Sequence, residues 1–150
     1  MEKKMIYIGA DSAGYYMKKE IIEHLVKSGY NVTDCGTDSD ASCHYPEFAS
    51  KVCKSVKADE GSFGILICGT GIGMSMCANK YKGIRAALCS DTYSARMTRV
   101  HNDANLLCMG ARVIGPCLAQ DIVDSFLSAE FEGGRHQIRI DMMKDIEDSQ

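Results

Sequence analysis

The chain has 150 residues, about one domain's length, with 45% hydrophobic and 25% charged residues and a formal net charge of −3. Those values are ordinary for a folded globular chain and exclude a disordered, collagen-like or membrane-spanning one. Nothing global pulls it toward nucleic acid or acidic lipid, so an anionic ligand would need a local patch of arginines.

In chain order, residues 1–10 (MEKKMIYIGA) read as a charged start feeding a strand, Met5–Gly9, with no secretory leader before it. Met17, Ile21, Ile22, Leu25 and Val26 mark one face of a helix closed by Gly29. Tyr30–Asp34 is a weaker strand and Gly36–Cys43 a polar loop. Pro46 opens a helix with Phe48, Ala49, Val52, Cys53 and Val56 inward. Phe63–Cys68 (FGILIC) is the most apolar strand, and it runs through GTGIGMS into a helix reaching about Tyr81. Arg85–Cys89 is a strand, and Asp91 caps a helix to about Val100. Leu106–Met109 is the fifth strand. Pro116 starts a helix with Leu118, Ile122, Val123, Phe126 and Leu127 on one face. A polar tail follows from Gly133, helical after Ile138. Strands alternating with helices argue for an α/β fold, a parallel sheet covered on both faces, in one domain spanning 1–150. Ligands of open α/β sheets bind beyond the carboxyl ends of the strands. Asp11, Cys68 and Arg112 follow or end strands one, three and five, so all three should share that edge.

The eight cysteines (35, 43, 53, 68, 77, 89, 108 and 117) form no C-x-x-C, and the four histidines show no metal-ligand spacing. The expectation is a reduced, cytoplasmic chain with mostly buried thiols and no metal or cofactor. One cysteine is placed differently. Cys68 ends the third strand and precedes Gly69-Thr70-Gly71-Ile72-Gly73-Met74-Ser75. Glycines let the backbone approach a ligand closely, and the first turn of a helix presents free N–H groups. Such a turn suits a phosphate or a transition-state oxyanion. A dinucleotide fingerprint would need glycine where Met74 stands and would follow the first strand, and no Gly-Lys-Ser/Thr of a Walker A loop occurs. A thiolate at Cys68 would serve as a nucleophile or as a base. Three readings stay open from the residues alone: a proton-transferring enzyme, a silent nucleotide- or sugar-phosphate-binding module, and a cysteine-nucleophile transferase or hydrolase.

Several segments occur together and in order: DSAG after strand one, YPEFA, GILICGTGIGMS, GIRAA, RVHNDANLL, GARVIG and EGGRHQIR. On these, from about Met5 to Ile140, the chain resembles the ribose/galactose isomerase family, and within it the ribose-5-phosphate isomerases of type B. The resemblance implies a three-layer α/β/α sandwich on a five-stranded parallel sheet. It implies a cofactor-free aldose–ketose isomerase acting on sugar phosphates, as a homodimer or a dimer of dimers. By the family pattern Cys68 is the base, amides of the Gly69–Ser75 turn (Gly69, Gly71, Gly73, Ser75) hold the enediolate, and Thr70 bonds a reacting oxygen. His101, helped by Asp11, opens the sugar ring, a task suited to a side chain whose ordinary pKa is about 6.5. Asn102 orders a substrate hydroxyl, and Tyr45 covers the sugar. Arg112, Arg135 and Arg139 surround the phosphate, for which arginine offers paired, always-charged donors. Ser12 stands where the family commonly has histidine, and His44 replaces a frequent aspartate. Ribose 5-phosphate is the expected substrate, with allose or galactose 6-phosphate as the alternatives.

Helix length adds one expectation. His101 lies ten residues beyond Asp91, about 15 Å along a helix. It should sit near the opposite sheet edge from Cys68, so the two meet only if His101 comes from a neighbouring subunit.

Overall fold

The computed structural model describes residues 3–150. Five strands, β1 (Met5–Ala10), β2 (Asn31–Asp34), β3 (Phe63–Cys68), β4 (Ala86–Leu88) and β5 (Leu106–Gly110), form one parallel sheet in the order β2-β1-β3-β5-β4. The six helices are α1 (Tyr15–Lys27), α2 (Tyr45–Ala58), α3 (Ile72–Ala78), α4 (Thr92–Asn102), α5 (Pro116–Ser128) and α6 (Arg135–Asp148). The central strands β3 and β5 are buried along their whole length, as a parallel strand covered on both faces must be. This is the expected three-layer arrangement.

Parallel connections are right-handed, so the direction of each step across the sheet decides which face its helix covers. Helices α1, α4 and α5 pack on one face around Ile6, Ile8, Ile65, Ile67, Leu107 and Met109. Helices α2 and α3 pack on the other around Leu66, Cys68, Leu106 and Cys108. The winding reverses between β1 and β3, and the crevice that opens there lies beyond Ala10 and Cys68. At that point α1 starts hard against β3: a Cβ on Gly14 would lie 2.5 Å from the Ile67 carbonyl oxygen. Gly14→Ala is therefore expected to cost about 1–3 kcal/mol by overpacking, read as a lower urea midpoint with unchanged slope.

The boundaries depart from expectation in a few places. β4 is shorter than Arg85–Cys89, and α3 stops at Ala78 rather than near Tyr81. Val26 and Leu118, expected inward, are 58% and 39% exposed, because each lies at the margin of its helix's apolar stripe. The tail is helical from Arg135, not only after Ile138, and it buries just His136 and Ile140. Asp91 caps α4 as expected, accepting from the Ser94 N–H at 2.6 Å and from the Ser94 hydroxyl at 2.8 Å. No helix among the described residues is long and apolar enough to cross a membrane, and all eight cysteines are free thiols.

Candidate active site

The first group of site residues gathers at the carboxyl edge of the sheet. Cys68 pairs in register with Gly110 of β5, and the Asp11 N–H donates to the Ile67 carbonyl at 3.2 Å. One oxygen of Asp11, Oδ1, accepts from the N–H groups of Ala13 and Gly14 at 3.0 and 3.1 Å. The carboxylate thus ties the turn into α1 and keeps its second oxygen for other partners. Ser12 is half-buried beside it.

The turn after β3 folds back over its own cysteine. Gly71 has φ of +79°, a left-handed conformation that disfavours side chains, and a Cβ there would meet Leu88 at 2.5 Å. That backbone aims the Gly71 N–H at Cys68 Sγ, 3.1 Å away. Cys68 itself is 5% exposed. The Ile72 N–H is taken by Thr70 Oγ1 at 3.2 Å, while the amides of Gly73 and Met74 meet no acceptor among the described residues, as the first turn of a helix dictates. Ser75 turns inward on its helix: its amide bonds the Gly71 carbonyl and its hydroxyl the Ile72 carbonyl.

Two side chains frame this turn. The Tyr45 ring lies against Gly73, where a Cβ would be 2.6 Å from it, and the Arg112 guanidinium lies over Gly69, with Nη1 3.4 Å from the Cβ position. Two of the glycines are thus where neighbouring side chains press on the backbone. His44, exposed and extended, immediately precedes α2 beside Tyr45.

The second group lies elsewhere. His101 and Asn102 end α4, and Asp103, with φ of +45°, terminates the helix. Asn105, three residues past Asn102, accepts from the Gly64 N–H through its carbonyl and from the Arg85 N–H through its side chain, which puts this end of α4 at the amino edge of β3 and β4. Cys68 packs with α2 and α3, whereas α4 packs on the opposite face. Cys68 and His101 of one chain are therefore separated by both edge and face. Helix α6 and the segment leading into it lie against α4: the Glu132 N–H, just before α6, bonds the Val100 carbonyl, and the rings of His101 and His136 stack with centroids 4.5 Å apart. Arg135 and Arg139 flank His136, exposed and one helical turn apart. The three expected phosphate arginines are thus divided, Arg112 with Cys68 and the other two with His101.

Burial, and then the positive charges of His101 and Arg135, hold the His136 pKa below its ordinary value; Glu132 opposes them. The unfolded chain therefore takes up a proton at higher pH than the folded one. Stability from this group is complete above about pH 6.5, the ordinary histidine value, and is lost as pH falls below it. His136→Phe should make the melting temperature less sensitive to pH between 7.5 and 5.5.

The ribose/galactose isomerase family model matches residues 6–143. The chain belongs to this family. It is 50% identical to ribose-5-phosphate isomerase B of Escherichia coli (strain K12) over 96% of its own length and 97% of the relative's. It is 49% identical to a putative sugar phosphate isomerase of Bacillus subtilis (strain 168), covering 95% and 97%. Among solved structures, a ribose-5-phosphate isomerase B of Clostridium thermocellum matches with a TM-score of 0.95 and 52% identity, covering 97% of this chain and 98% of that one. Membership in the family makes the chain an aldose–ketose isomerase, and its fold is that of these structures.

Sequence reasoning placed Asp11, Cys68 and Arg112 at one edge, and the structure adds the Tyr45 ring against the glycine turn. His136 carries no role in the sequence reading, where a lone histidine beside charged residues is indistinguishable from one that only packs. The one available signal was its position between two arginines expected to bind phosphate.

Proposed function

We propose that the chain interconverts ribose 5-phosphate and ribulose 5-phosphate through an enediolate, with Cys68 as the base. The observation that carries this is the hydrogen bond from the Gly71 amide to Cys68 Sγ, beneath a turn whose Gly73 and Met74 amides meet no acceptor among the described residues. The bond holds the sulfur against the turn that carries those amides. Starting from the aldose, the thiolate takes the proton from carbon 2, and the electron pair moves toward the carbonyl oxygen. Amides of the turn hold the resulting negative oxygen. The thiol then returns its proton to carbon 1, and Thr70 Oγ1, exposed on the turn, is positioned to pass the hydroxyl proton between oxygens 1 and 2. No electron leaves the sugar, so no redox cofactor is called for.

Ribose 5-phosphate is mostly a closed furanose and must open first. His101 would do this from a second copy of the chain, which also brings Asn102, Arg135 and Arg139. Two observations support a shared site: the separation of Cys68 from His101 within one chain, and the division of the arginines. Exposed apolar side chains lie beside both groups, Ile72, Met76 and Leu88 near the turn and Ile138, Met142 and Ile146 along one stripe of α6.

Turnover of ribose, allose and galactose phosphates tests the substrate, with the pentose preferred; faster turnover of either hexose 6-phosphate would overturn that part. Deuterium from solvent should enter carbon 2 of ribose 5-phosphate. A covalent adduct on Cys68, or binding without turnover, would sink the base reading. His44→Ala should raise KM about 3-fold or more if His44 takes over from the missing histidine at Ser12, a change the size of one modest polar contact. Unchanged constants would remove His44 from the site.

A further inference from the structure

Helices α4 and α6 meet at two imidazoles. The His101 and His136 rings stack with centroids 4.5 Å apart and planes 21° from parallel. They differ in surroundings. His136 is 6% exposed, whereas His101 is half-buried and keeps an open side. The Nε2 of His136 is buried with no hydrogen-bond partner among the described residues. The contact that His136 makes with His101 is therefore one of ring face on ring face. A flat ring packed against a second one removes rotation about the outer side-chain torsion, which is otherwise broad for histidine.

We propose that His136 is a positioning residue for His101: its buried ring is the support that fixes the plane of the His101 imidazole and aims its free edge away from α6, toward the sugar held by a second copy of the chain. This rests on the reading that His101 opens the furanose. The charges around the pair agree with the assignment. Arg135 and Arg139 on α6 and His101 on α4 all disfavour a proton on His136, and only Glu132 favours one. The buried ring stays uncharged while His101 takes the proton of the anomeric hydroxyl and returns it to the ring oxygen, and its flat face stays against the His101 ring throughout.

The test compares His136→Phe, which keeps a flat ring, with His136→Leu, which keeps an apolar side chain without one, in the full-length chain. His136→Phe should retain kcat for ribose 5-phosphate within about 3-fold, and His136→Leu should lose about 10–100-fold in kcat with KM nearly unchanged, since misorienting a reacting group costs on that scale. Proton NMR supplies a second readout. The His101 ring C–H signal, shielded by the neighbouring ring face, should stay shielded in the phenylalanine variant and move downfield in the leucine variant. Should the leucine variant fail to fold, the rate and the signal of the phenylalanine variant decide. A folded His136→Leu with unaltered kcat overturns the proposal. So does a His136→Phe that retains the shielded signal yet loses as much kcat as the leucine variant. The ring-opening reading fails separately, if His101→Asn turns over ribose 5-phosphate as fast as the parent chain.

Discussion

Replacing Cys68 with alanine is expected to lower kcat for ribose 5-phosphate by about 10²–10⁴-fold, the contribution of a positioned acid–base group. The loss should fall on kcat more than KM, because Arg112 and the glycine turn that would grip the substrate do not depend on the sulfur. The fold should survive. The substitution removes one heavy atom from a buried site, a cavity cost of about 1 kcal/mol. The buried Gly71 amide loses its acceptor, which adds about 1–3 kcal/mol for an unpaired donor. Cys68→Ser is the sharper comparison: the hydroxyl keeps the size and the hydrogen bond yet is a far weaker acid, so it too should be nearly inactive. Rates from natural-abundance and carbon-2-deuterated ribose 5-phosphate, with circular dichroism as the control for folding, make the measurement. A folded Cys68→Ala retaining more than about a tenth of kcat would remove the thiol from general-base chemistry.

The second large effect concerns assembly. Chains carrying Cys68→Ala and chains carrying His101→Ala should each be nearly inactive alone, and mixing them after subunit exchange should restore activity. In the proposed two-fold dimer each site would draw Cys68 from one chain and His101 from the other, so a mixed dimer would hold one intact site and one doubly defective one. Equal mixing makes half the dimers mixed, and the mixture should recover about a quarter of the parent activity if exchange is complete. Arg112→Ala and Arg135→Ala chains should behave the same way, since those arginines lie in the separate groups. Light scattering across a dilution series should show activity falling with the dimer population. An active monomer, or a mixture no better than its components, would mean that each chain builds its site alone, which the separation of Cys68 and His101 by edge and face makes geometrically difficult.

Much of the fold was legible because it is written locally. FGILIC is apolar throughout, as a strand buried on both sides must be, and β3 occupies those residues. The helical stripes at Met17–Leu25, Phe48–Val56 and Ile122–Phe126 follow the 3.6-residue period and do face the core. Where a stripe ends was less legible: Val26 and Leu118 fit the period, but neighbouring elements do not reach them. The glycine turn was readable too, because glycine marks positions where the backbone turns left-handed or is approached closely, as at Gly71 and Gly73.

Composition, periodicity and turn chemistry thus determined the elements, the α/β class and the placing of Asp11, Cys68 and Arg112 at one edge, since each depends on residues only a few positions apart. The order β2-β1-β3-β5-β4, the face each helix covers, the split of the arginines and the stack of His101 on His136 were decided by the tertiary structure alone. Those features arise from contacts between segments far apart in the chain, whose pairing is chosen by the burial of whole faces and by the handedness of the crossovers rather than by any local pattern.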